Sequence, residues 1–218
     1  ASTSSLTPTG PSTPFPPPAR FYRLAWGFYL ALALAGALWV GLRQGQVPLA
    51  LFIDLRPLWS LQGWPVDLGA GAAAGLLLVG LWRLGRRRFA TARQLEEQLG
   101  NLLGPVGPGD AAALAFLSSF AEELFFRGAV QGTLGWLPAA LLFALLHTGP
   151  GRALRLWSVF AAAAGLLFGA LMLWRGNLLA PVTAHFVVNC INLQALSRRF
   201  RDSGRLAAPA VEGADEER

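Results

Sequence analysis

Uncharged apolar runs close to the length of a bilayer crossing recur along this 218-residue chain, and they restrict its fold more than any other feature. A hydrocarbon core about 30 Å thick takes roughly 20 apolar residues of helix, and a helix satisfies its own backbone there. Leu24–Leu42 carries no charge. Val66–Trp82 follows, with "GAAAG" (Gly71–Gly75) as a small-residue face for close helix packing. Asp110–Gln131, Leu137–His147, Leu156–Trp174 and Leu178–Leu196 are the remaining apolar segments, and "GLLFG" (Gly165–Gly169) is a second small-residue face. The reading is an all-α polytopic membrane helix bundle of about six transmembrane helices.

The segments between divide the chain. Residues 1–20 are rich in Ser, Thr and Pro and read as a disordered tail, without the basic start and cleavable apolar run of a signal peptide. Residues 21–85 hold two N-terminal transmembrane helices. Within them "LALFIDLRPLWSLQ", from Leu49, is interrupted by Asp54, Arg56 and Pro57 and reads as an interfacial piece. Residues 86–104 space Leu95, Leu99, Leu102 and Leu103 between charges, as an amphipathic helix on the membrane surface would. Residues 110–197 form the remaining helix bundle, and 198–218 a polar C-terminal tail. Cys190, the one cysteine, has no internal disulfide partner and reads as a small buried hydrophobe.

All 18 basic residues are arginine, and their placement matters more than their number. With six spans and the N-terminus inside, the clusters at Arg20 and Arg23, Arg83–Arg93, Arg152 and Arg155, and Arg198–Arg205 all fall on one side. Arg43, Arg56 and Arg175 fall on the other. This bias predicts a multi-pass protein of the cell membrane with both termini in the cytoplasm. The lipid bilayer, not nucleic acid, is the expected partner of such a chain.

Charge within the spans needs a reason, since a charged side chain at a helix centre costs about 2.5–3.5 kcal/mol even on the lenient insertion scale. "AEELFFRG" (Ala121–Gly128) nevertheless holds Glu122, Glu123 and Arg127. Glu122 and His147 are equidistant from the turn "GTLGWLP" that joins their helices, each about 19 Å away at about 1.5 Å per residue. His185 lies about 14 Å past the turn "RGN" on the same side. All three converge on an active-site layer near the bilayer midplane. His185, Asn189 and Asn192 form one polar stripe at i, i+4, i+7. Glu123 and Arg127, at i, i+4, can pair, which leaves Glu122, turned about 100° away, to face the histidines. Each residue alone has an ordinary explanation, as a snorkelling Glu, a carbonyl-satisfying His or an Asn gluing helices. Their convergence at one depth argues for a functional cavity.

"EELFFR" (Glu122, Glu123, Arg127), "FALLH" (Phe143–His147) and "HFVVN" (His185–Asn189) resemble, in order, the EExxxR, FxxxH and HxxxN/D motifs of the CPBP family of intramembrane proteases. That family is also called Abi or CAAX prenyl protease 2-like and includes eukaryotic CAAX-processing enzymes and many bacterial proteins linked to peptide processing or bacteriocin immunity. The resemblance covers about residues 110–195. It implies an intramembrane endopeptidase acting on a membrane-associated or prenylated protein or peptide, with the first glutamate catalytic and the second supporting.

Residue chemistry agrees with that assignment. Glu122 with His147 could hold and deprotonate a water. His185 and the Asn189 amide could stabilise the oxyanion, while Glu123 and Arg127 support the site. Glu122, His147 and His185 would also make a two-His, one-carboxylate zinc set, which leaves the cofactor open. No HExxH segment is present and Asn189 is a poor zinc ligand, so a metal-free glutamate mechanism is favoured over this metalloprotease-like one. The break "TGPG" after a short fourth helix predicts access from the cytoplasmic side, with Arg152 and Arg155 guiding an acidic substrate end. The alternatives are a catalytically silent membrane scaffold or binder, and a proton-coupled transporter-like protein. The polar groups all fall in the second half of the chain, without the paired broken helices of transporters.

Overall fold

The computed structural model describes residues 18–45, 55–60, 62–103 and 106–207, and no strand occurs among them. Helix α1 is Pro18–Arg43, α2 Trp64–Arg88, α3 Ala90–Leu103 and α4 Pro108–Glu123. Helix α4 runs on through a π-helical turn, Leu124–Val130, into α5, Gln131–Leu134. Then come α6 (Trp136–Leu146), α7 (Arg152–Arg175) and α8 (Leu179–Ala207). Four helices, Tyr22–Arg43, Trp64–Arg88, Arg152–Arg175 and Leu179–Arg199, are long and apolar enough to cross a membrane. Trp136–Leu146 is a shorter apolar helix, and the continuous stretch 108–134 carries the buried Glu122, Glu123 and Arg127. The molecule is an all-α membrane helix bundle.

Glycine sets where several helices begin and end. Gly135 and Gly151, at φ of +90° and +92°, precede α6 and α7, and Gly176 at φ +68° ends α7 with its N–H donating to the Met172 carbonyl. Helix α8 is the centre of the bundle, against α2, α4 and α7. The α2 glycines let it approach: a Cβ at Gly71 would lie 2.5 Å from the Ala180 carbonyl oxygen, and one at Gly75 2.6 Å from that of Ala184. Around that crossing Ala74, Leu78, Phe168, Leu171 and Val188 form the core. The small-residue face thus serves packing within the chain.

The other end of that pair is closed by a buried carboxylate. Asp67, on the first turn of α2, accepts from Arg175 Nε at the end of α7 and from Asn177 Nδ2 at 3.2 Å. Asn177 Oδ1 in turn accepts from the Leu179 N–H that opens α8 (2.9 Å). One acid therefore ties three helix ends together.

Several segments differ from the sequence reading. Arg86–Arg88 belong to α2, and α3 turns Ala92 and Leu95 inward against the bundle, because its apolar stripe finds the ends of α7 and α8 to cover. Arg56–Leu58 is a 3-10 turn whose Leu58 is buried and whose carbonyl accepts from the Leu178 N–H (2.9 Å), so it packs beneath α8; residues 46–54 and 61 lie outside the described residues. The first ten residues of the expected C-terminal tail continue α8, with Arg199 paired to Glu96 of α3, and 208–218 lie outside the described residues. So do residues 1–17 of the N-terminal tail, whose last three residues open α1. Cys190 is only partly buried and accepts from Gln194 Nε2 at 3.2 Å, which corrects its reading as a buried hydrophobe.

Candidate active site

Helix α4 delivers three polar side chains to the candidate site from one face and its flank. Ser118 and Glu122 are four residues apart and point the same way. Glu123 turns inward, fully buried, to Arg127 on the π-helical turn. Such wide turns recur at functional sites, and here Arg43 at the end of α1 donates to the Gly128 and Gly132 carbonyls at 3.1 and 2.8 Å. Arg127 Nη1 donates to Glu123 Oε1 (3.1 Å), its Nε lies 3.0 Å from Oε2, and its Nη2 donates to the Gly165 carbonyl (3.2 Å). The guanidinium carbon stands 4.6 Å from the centre of the Phe143 ring, completing a pair sealed from water.

The two histidines meet Glu122 from separate helices. His147, at the end of α6, donates from Nδ1 to the Phe143 carbonyl at 2.7 Å, and its ring lies 4.3 Å from that of Phe143. His185 on α8 donates from Nδ1 to Glu123 Oε1 at 2.8 Å and stacks on Phe168. With Nδ1 carrying the hydrogen, each neutral ring presents a lone pair at Nε2. These Nε2 atoms lie 3.7 Å (His147) and 3.9 Å (His185) from Glu122 Oε2, which is buried and accepts no hydrogen bond from the described residues. Asn189, one turn along α8, donates from Nδ2 to Ser118 Oγ at 3.0 Å. The structure thus gathers Glu122, His147 and His185 at one point and sets Asn189 on an adjoining wall. Glu123 also differs from its expected partnership, serving both Arg127 and His185.

A cavity of about 600 Å³ rises from this cluster. Its walls are mostly apolar, including Phe28, Leu114, Trp157, Phe160 and Leu193, with Tyr29, Asn189 and Asn192 as further polar groups. Leu24, Leu103 and Leu196 line its far end, where the arginine-rich helix ends lie. Arg152 and Arg155 are exposed and do not line it.

The same three groups are the chain's candidate zinc ligands. Ligands about 2.0–2.2 Å from a tetrahedral zinc stand roughly 3.3–3.5 Å apart, closer than the 3.7 and 3.9 Å found here. Among the described residues no group of three His, Cys, Asp or Glu side chains takes metal-binding geometry. As placed, Glu122, His147 and His185 do not fit a closed zinc shell.

Sequence reasoning passed over Ser118 and Tyr29. A serine in an apolar helix carries no signal of its own, but its i, i+4 spacing to Glu122 could have marked it. Tyr29 stands far from every motif, and only the packing of α1 brings it near.

Residues 107–191 match the family model of Rce1-like, type II CAAX prenyl endopeptidases. Over 80 residues the chain is 41% identical to the uncharacterized protein YpbD of Bacillus subtilis (strain 168), a match covering 36% of this chain and 41% of that protein. The chain therefore spans about two fifths of that relative's length. No solved structure matches it. Glu122, Glu123, Arg127, His147, His185 and Asn189 all fall within the matched segment. Residues 107–191 are thus similar to the Rce1-like type II CAAX prenyl endopeptidases, in agreement with the family of membrane proteases that the three motifs resemble.

Proposed function

We propose that the chain is an intramembrane endopeptidase that hydrolyses a peptide bond of a membrane-associated or prenylated protein or peptide. One observation carries the reading: at the floor of the cavity, Glu122 Oε2 and the Nε2 atoms of His147 and His185 face one another as three acceptors. A water seated among them donates to two and offers its oxygen to a substrate in the cavity. Glu122 takes the proton as that oxygen attacks the scissile carbonyl, then passes it to the departing amine. His147 helps hold the water, its ring fixed by the Phe143 carbonyl and by Trp157 at 5.4 Å.

The oxyanion needs donors already in place. Asn189 has a second amide N–H beyond the one given to Ser118. His185, its ring fixed by the Nδ1 hydrogen bond to Glu123, faces the same reacting centre. Glu123 and Arg127 act as support, fixing His185 and the carbonyl of Gly165. Water and substrate reach the site from the arginine-rich end, the side assigned to the cytoplasm by the arginine bias. The cavity walls there suit an apolar substrate segment, and the exposed Arg152 and Arg155 act outside it.

Purified protein in liposomes, given prenylated and unprenylated CAAX peptides and a membrane-peptide library, tests the reading by mass spectrometry of the products. A single new peptide end that accumulates with wild-type protein is expected. Uncut peptides throughout would favour a silent membrane binder.

A further inference from the structure

Helix α1 lies outside the segment that matches the family, yet it contributes to the site. Gly36 packs against the π-helical turn so closely that a Cβ there would lie 3.0 Å from the Phe125 Cα, and Val40 is buried in the same interface. Tyr29, Gly36 and Val40 are spaced i, i+7, i+11 and share one face of α1. Helices α1 and α4 run in the same direction, so seven residues before the Gly36–Phe125 contact Tyr29 stands opposite Ser118. Tyr29 accordingly lines the cavity together with Glu122 and Ser118. Ser118 also accepts from Asn189. A polar wall of Asn189, Ser118, Tyr29 and Glu122 thus faces the two histidines.

That wall meets a need of the carboxylate. The neutral histidines turn lone pairs to Glu122, and the Arg127 N–H groups go to Glu123 and Gly165. An ionised Glu122 needs a donor from another direction. A phenol has one O–H to give, and this one lines the same cavity as the carboxylate. Hydrogen bonds in resting sites are often long and tighten around bound substrate. We propose that Tyr29 is a positioning residue of this site: its O–H donates to the Glu122 carboxylate and holds Oε2 toward the histidines, while Ser118 joins the same wall to Asn189.

The inference rests on the peptidase reading for its consequence, whereas the contact itself can be tested without turnover. With the full chain in liposomes and an internally quenched prenylated CAAX peptide, Tyr29→Phe should lower kcat about tenfold or more and leave KM within about twofold. Wild-type kcat in Tyr29→Phe, or a change confined to KM, overturns the proposal. Thermal unfolding of Tyr29→Phe, Glu122→Ala and the double variant supplies the second readout. The loss of stability from Tyr29→Phe should disappear in the Glu122→Ala background. Equal losses in both backgrounds mean that the hydroxyl does not act through Glu122 and overturn the proposal. If the wild-type chain leaves the peptide uncut, the peptidase reading fails separately, and the unfolding cycle still decides the contact.

Discussion

Glu123 and Arg127 show what a buried charge needs at the scale of single residues. Neither meets solvent, and each has its counter-charge, a further hydrogen-bond partner and, for Arg127, the face of Phe143. Removing one member strands the other, and such a loss costs about 3–5 kcal/mol. Glu123→Gln and Arg127→Ala should therefore unfold at lower temperature in detergent as well as lose turnover. Normal unfolding with turnover alone lost would mean that the pair is not structural. The zinc test also belongs here: a chelator should leave activity within about twofold of the untreated protein, whereas loss restored by zinc would make the three acceptors a metal set. The charged members of the site were legible in the sequence because charge in an apolar helix is conspicuous. The partner of His185 was not, since nothing in the spacing of His185 and Glu123 says that two helices bring them within 2.8 Å.

Helix contacts set the distances on which that chemistry depends. The Gly71 and Gly75 approach lets α8 seat His185 against α4, and side chains there meet backbone that cannot move aside. Gly75→Val should destabilise the protein by about 1–3 kcal/mol through overpacking. Gly80→Ala, on the same helix but where a Cβ would meet no neighbouring element within 4 Å among the described residues, should be neutral or slightly stabilising. Chemical unfolding of the two variants side by side checks this, and equal stabilities would contradict it. Hydropathy made most of the helices legible, because the bilayer fixes their length. It could not show the π-helical turn, which keeps the apolar pattern and alters only the backbone register. Nor could it mark Asp67 as a buried tie, since an acid in the first turn of a helix is equally at home in water.

For the whole molecule the question is which side feeds the cavity. The arginine-rich ends and the cavity's far wall lie together, and the break between α6 and α7 lies at the same end. Thr148 and Arg152 there are exposed, so Thr148→Cys and Arg152→Cys in a Cys190→Ala background can be labelled with an impermeant thiol reagent in oriented vesicles. Labelling from the cytoplasmic face is expected, and labelling from the outer face alone would invert the topology. The central claim is narrower, that the Glu122 carboxylate takes a proton from water at the floor of this cavity. Glu122→Gln keeps the shape of the side chain but cannot accept that proton. Its turnover of the peptide cleaved by wild type, measured on protein with an unchanged unfolding temperature, should fall by at least about a hundredfold. Turnover within a few fold of wild type would contradict the account.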